Sequence, residues 1–129
     1  VPHCTSDELF KYVLQDQSRG VFTGRILVAQ DAQKTQAYQN NRNLLLSKDA
    51  RMQSKPQLEI YADDVKCSHG MTTGQLSADA LFYMRQRGIS LEEARLMLSN
   101  AFAEDVLARI PIEELAEVLR KRVEERLRK

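Results

Sequence analysis

The chain has 129 residues and a formal charge of +1, from 19 Lys plus Arg against 18 Asp plus Glu; the length suits a single core, and the near-balance gives no electrostatic case for nucleic acid or an anionic membrane as main partner. Its longest apolar run is Ala80 to Met84, far short of the ~20 that cross a bilayer. No leader is recognisable, so the cytoplasm is the expected compartment, and two cysteines are too few for a disulfide framework.

The chain opens on VPHCTSDELF, without an initiator Met and already in mid-pattern, which reads as a piece of a longer protein. Up to about residue 76, four short segments share an apolar residue followed three positions later by Asp. They are VLQD at 13–16, VAQD at 28–31, LSKD at 46–49 and IYAD at 60–63, at unequal intervals. A longer match runs between VAQDAQKT (28–35) and IYADDVKC (60–67), with Asp31 on Asp63 and Lys34 on Lys66. The unequal spacing argues against a strict repeat. It suits stacked coils of a β-solenoid, whose turns take insertions while strands keep register; an antiparallel sandwich is the ordinary alternative.

Within this region RILVA and QLEIYA read as strands, being short and rich in β-branched and aromatic residues. Gly20 and Gly24 flank one extended piece, and Pro56 is expected to open QLEIYA, where it removes no ladder bond. Asn40, Asn41 and Asn43 precede LLLS and are expected to form a turn, since Asn tolerates left-handed backbone. Coil-to-coil stacking of these side chains is the further option that a solenoid offers.

VKCSHG, residues 65–70, is the last extended segment. Alternate side chains of a strand share a face, so Cys67 and His69 point the same way about 6–7 Å apart. Three readings are open. As metal ligands they are half a tetrahedral site at most. As a nucleophile, Cys67 needs a base in contact with its sulfur, and His69 lies parallel to it, which leaves His3. As space-fillers, Cys67 behaves as a small hydrophobe beside Val65, while His69, next to Gly70 and the turn-like TTG, is expected to be exposed.

From residue 77 the pattern is helical. Ser77 caps a helix over ADALFYMRQR, and Gly88 supplies its left-handed stop. Ser90 and Glu93 form a capping-box pattern that opens a second helix, on which Ala94, Met97, Leu98, Ala101 and Phe102 recur at helical spacing as a buried stripe. Pro111 breaks the pattern. A third helix follows from about Ile112, with Ile112, Leu115, Leu119, Val123 and Leu127 on one face. Its early acids and late bases complement the helix dipole.

KPQLEIYADDVKCSHGMTTGQL followed by ALFYMRQRGIS, with RGVFTGRILVAQDAQKT and NNRNLLLS upstream, resembles the C-terminal part of the SufB/SufD family of iron–sulfur cluster assembly proteins. Nearly the whole chain takes part. SufB-like members typically carry His-Glu where this chain has His69-Gly70, so the resemblance sides with the SufD branch. Met71 stands where the family often has Ala. The resemblance implies a mixed β and α fold: residues 1–76 as the last coils of a right-handed parallel β-helix, and 77–129 as a helical domain of about three helices. It implies a non-catalytic subunit that pairs with SufB and docks the SufC ATPase through its helical domain. A nascent iron–sulfur cluster would be shared at the SufB–SufD interface, with His69 as metal ligand, Cys67 beside it in a less defined role, and no cluster held tightly by this chain alone. The alternative is a purely structural docking module. Open strand edges at residue 1 and at the end of the β region lead us to expect self-association of the isolated chain, which light scattering over a wide concentration range would test.

Overall fold

The computed structural model describes residues 1–128. Five strands come first: β1 (Thr5–Leu14), β2 (Arg19–Val28), β3 (Gln36–Leu45), β4 (Arg51–Ile60) and β5 (Lys66–Gly74). Three helices follow, α1 (Ala78–Gln86), α2 (Leu91–Leu107) and α3 (Glu113–Leu127). All pairing is parallel. One sheet has the order β1-β3-β5 and the other β2-β4, so strands alternate between two facing sheets and no antiparallel sandwich forms. The two sheets are open, not closed into a tube.

Register explains the unequal repeats. Thr5 pairs with Gln36, Arg19 with Arg51 and Gln36 with Lys66, so the true period is nearly constant and spans two strands. The four Asp-bearing segments each lie where a strand ends, at Leu14, Val28, Leu45 and Ile60; they mark turns, not coils. The longer match holds within the strands, since Val28 pairs with Ile60. It fails beyond them. The link from β2 to β3 (29–35) is longer than the link from β4 to β5 (61–65). Lys66 therefore pairs with Gln36, and Lys34 donates its N–H to the Asp64 carbonyl instead (2.6 Å).

Three strand expectations are corrected. Asn40, Asn41 and Asn43 form no turn but sit in the middle of β3, the central strand. Asn41 and Asn43 face the space between the sheets and are buried; Asn41 Oδ1 and the Asn43 amide N–H find partners there, while Asn41 Nδ2 and Asn43 Oδ1 have none. Pro56 lies inside β4, not at its start. The N–H groups of Arg51 and Tyr61 donate to β2, so by alternation those of even residues face the open edge, where a missing donor costs nothing. The TTG segment, finally, continues β5 to Gly74.

In the helical region Ser77 Oγ accepts from the Ala80 N–H and Ser90 Oγ from the Glu93 N–H, as expected of both caps. Gly88 has φ +85°, the left-handed stop. The stripes are rotated from expectation. On α2, Ala94 is buried with Leu96, Ser99 and Leu107, while Met97 and Ala101 are exposed. On α3, Ala116 is buried and Leu119, Val123 and Leu127 half-buried, whereas Ile112 and Leu115 point outward. The physical reason is that α2 lies against β1 on one side and against α3 on the other. Lys11, on the outer face of β1 with its side chain 6 % exposed, donates to the Phe102 carbonyl (2.6 Å) and to Asp105 (2.5 Å). Its ammonium also sits 4.3 Å from the Phe102 ring centre. Arg120 ties Glu104 of α2 to Glu113 of α3. Among the described residues no helix is long and apolar enough to cross a membrane.

Candidate functional site

The space between the sheets is lined by successive rows, each contributed by β1, β3 and β5 in register. The first is Ser6, Ala37 and Cys67; the next Glu8, Gln39 and His69; then Phe10, Asn41 and Met71; then Tyr12, Asn43 and Thr73. Aromatic residues of β1 meet Phe22 of β2, with Phe10 at 5.0 Å and Tyr12 at 6.4 Å between ring centres. The other side of the interior is polar. The Asn43 amide donates to Asn41 Oδ1 (2.8 Å), Ser54 Oγ, the Thr72 carbonyl and Thr73 Oγ1, and Ser54 Oγ donates to Asn41 Oδ1 (2.6 Å). A backbone ladder along each sheet holds the strands without help from these side chains, which is what allows them to be polar.

Cys67 and His69 fall on this inner face, as the alternation predicts. Asn40 and Gly70 mark the opposite, outer face, where a Cβ on Gly70 would stand 2.8 Å from Asn40 Oδ1. Cys67 is a half-buried free thiol and His69 is exposed. Both lie on β5, which has no neighbour on its far side in this chain. Lys66 donates its N–H to the Thr35 carbonyl of the β3 side; by alternation the backbone N–H and C=O of Cys67 and His69 point the other way, to the open edge. Two side chains and two sets of free backbone groups therefore face the same opening.

The other soft ligands are not brought there. His3 and Cys4 precede β1, two strands from β5, a separation of about 9.5 Å from sheet spacing alone. That exceeds the Cα distance a disulfide spans, and Cys4 and Cys67 are both free. His3 does not contact the Cys67 sulfur as a base would have to. Among the described residues no group of three or more His, Cys, Asp or Glu side chains is placed to hold a metal ion. Cys67 and His69 are two candidate donors beside the open edge.

Sequence reasoning missed the residues around His69. Gln39 is its register partner, and its Nε2 donates to Glu8 Oε2 (2.8 Å). Its Oε1 lies over Gly24 of β2, where an added Cβ would be only 2.1 Å away. The signal that finds them is the two-strand period, which aligns Glu8, Gln39 and His69 across the sheet.

Comparison with known proteins places the chain in a family. The family described as "SUF system FeS cluster assembly, SufBD core domain" matches residues 1–102, all five strands, α1 and most of α2. An iron–sulfur cluster assembly SufBD family protein of Synechocystis sp. is 48% identical over 119 residues, 92% of this chain and 26% of its own length. The iron–sulfur cluster assembly protein SufD of Escherichia coli is 45% identical over 124 residues, 96% of this chain and 29% of its own. The chloroplastic protein ABCI7 of Arabidopsis thaliana is 42% identical over 123 residues, 95% and 26%. The chain thus spans about a quarter to a third of these relatives. With a family match over most of its length, and with relatives that include a SufD, this chain belongs to the SufBD family of iron–sulfur cluster assembly proteins.

Proposed function

We propose that this chain acts as the SufD side of an iron–sulfur cluster assembly scaffold, with His69 as a metal ligand and Cys67 as its neighbour at a site shared with SufB. The observation that carries the reading is the placement of both donors on the inner face of β5, beside an open strand edge. A neutral imidazole is a competent iron ligand, and a partner strand that reaches this edge would bring the remaining ligands. The nascent cluster is cargo under assembly. The role is non-catalytic and the compartment cytoplasmic.

Within the same proposal residues 1–76 form the last coils of a right-handed parallel β-helix, supported by strands that alternate between two parallel sheets at a nearly constant two-strand period. Residues 77–129 form a helical domain that docks the SufC ATPase. The exposed apolar side chains of Phe82 and Tyr83 on α1 and of Ile112, Leu115 and Val118 near and on α3 support a partner surface there, and they alone would suit the alternative of a purely structural docking module. Phe102, a natural choice for testing that surface, instead packs inward under Lys11; Phe82 is the better probe.

The test uses the full-length subunit assembled with SufB and SufC. After confirming that the complex forms, iron and acid-labile sulfide retained on reconstitution are compared for wild type, His69→Ala and Phe82→Asp. A sharp loss in His69→Ala with the complex intact is the expected result. Unchanged cluster content in that variant, with loss only in Phe82→Asp, would leave a docking module and sink the ligand assignment.

A further inference from the structure

Gln39 is one of three buried inner-face amides of β3 that are only half used, Asn41 Nδ2 and Asn43 Oδ1 being the other unpaired atoms. It is 3 % exposed on the central strand, yet only half of its amide is used. Nε2 donates to the Glu8 carboxylate, while Oε1 has no hydrogen-bond partner. A buried carbonyl oxygen left unpaired carries its full desolvation penalty, so an acceptor in this place calls for a donor. The polarity of the amide is settled by Glu8, because a flipped amide would set its oxygen against a carboxylate. Gly24 makes the room, since a Cβ there would overlap both Oε1 and Cδ.

The donor that register sets beside Gln39 is His69. It is the register partner of Gln39 on the neighbouring strand and the same face, at the strand spacing of about 4.8 Å. A histidine that gives one ring nitrogen to a metal needs an acceptor for the N–H of the other, and that acceptor fixes the tautomer and the ring's orientation. We infer that Gln39 is the positioning residue for His69. Its Oε1 accepts the imidazole N–H, Glu8 anchors the amide from the other side, and Gly24 clears the space. The row Glu8–Gln39–His69 then runs across the three strands as one polarised chain of hydrogen bonds, which leaves the second imidazole nitrogen free to face the open edge. Metal ligation by His69 is the reading on which this assignment rests.

The test uses the full-length subunit with 15N-labelled histidine, in complex with its partner chains. Ring 15N shifts report the tautomer of metal-free His69, identified by the signal lost in His69→Ala. Wild type is expected to show one dominant tautomer. Gln39→Met keeps the length but removes the acceptor, and should move the ring toward the mixture of a free imidazole. The paired exchange Glu8→Gln with Gln39→Glu restores an acceptor held from the β1 side, and should restore the single tautomer. Ferrous iron retained at limiting supply should fall about tenfold in Gln39→Met and recover in the exchanged pair. Should Gln39→Met not fold, the exchanged pair decides alone, since a mixed tautomer there overturns the assignment. Identical His69 ring signals in wild type and Gln39→Met would also overturn it. A tautomer change with iron retention unaffected in both Gln39→Met and His69→Ala upholds the positioning by Gln39 and removes the ligand role instead.

Discussion

The two halves of the molecule are held together by different things. In the strands the frame is backbone: long parallel ladders, with pairing that survives a glutamine, two asparagines and a histidine on the inner face. In the helices the frame is side chains. Caps at Ser77 and Ser90, the Lys11–Phe102–Asp105 contact and the Arg120 link between Glu104 and Glu113 do the joining, over a core of few buried residues. The lesson is about where chemistry can be placed. A ladder that needs nothing from its interior leaves that interior free to carry polar groups, whereas a helix packed by its side chains has little to spare.

Crowding the interior is the strongest way to test this. Gly24→Val would drive a branched side chain into the Gln39 amide and the Phe22 ring, whose Cζ stands 2.8 Å from the Cβ position. Overpacking of this kind costs about 1–3 kcal/mol, and urea unfolding followed by circular dichroism should show a loss at the upper end of that range. A neutral result would mean that the two sheets are not as close as described.

Lys11→Met should separate the two halves. It removes a nearly buried cation from the Phe102 ring, worth ~1 kcal/mol, and the ion pair with Asp105. The expected outcome is faster amide exchange in α2 with no change in β3; equal acceleration in both would defeat the contrast. Acid should act on the same contact. Hydrogen bonding and charge from Lys11, aided by Arg42 and Arg109, hold the Asp105 carboxyl below its usual value. A carboxyl lowered in the folded state contributes stability above its unfolded pKa of roughly 3.9, and that contribution is lost as pH falls through the lower folded value. Helix docking should therefore loosen in strong acid and not near neutrality. Smaller still is Ser90→Ala, which deletes the cap of α2 and should cost about 1 kcal/mol, visible as a shift in thermal midpoint with the strand signal retained.

The sequence was legible where structure is local. Ser77, Gly88 and Ser90 announce helix ends because capping is a matter of a single turn. The Asp-bearing segments are local signals too, yet their spacing suggests coils where they mark strand ends, because the true period spans two strands. Asn40, Asn41 and Asn43 misled because their turn preference is local, while the environment of the inward pair is set by Ser54, Thr72 and Thr73, which lie far along the chain. Pro56 misled because only the topology shows that its strand is an edge. The helical stripes came out rotated because periodicity names an apolar face and cannot know that β1 will claim Lys11's side of α2. Of the candidate site, the shared inner face of Cys67 and His69 was readable from alternation. Glu8 and Gln39 were not, since nothing but register joins them to His69.

Each strand of the larger sheet pairs with the one a coil earlier in the chain, so every coil is seated on its neighbour. In arrays of this kind each unit draws its stability from its neighbour, and a terminal unit frays first. The strand that carries Cys67 and His69 has a neighbour on one side only. Its inward side chains take their places in the rows only when β5 is seated on β3, so the opening beside Cys67 and His69 exists only in a chain whose last coil has folded.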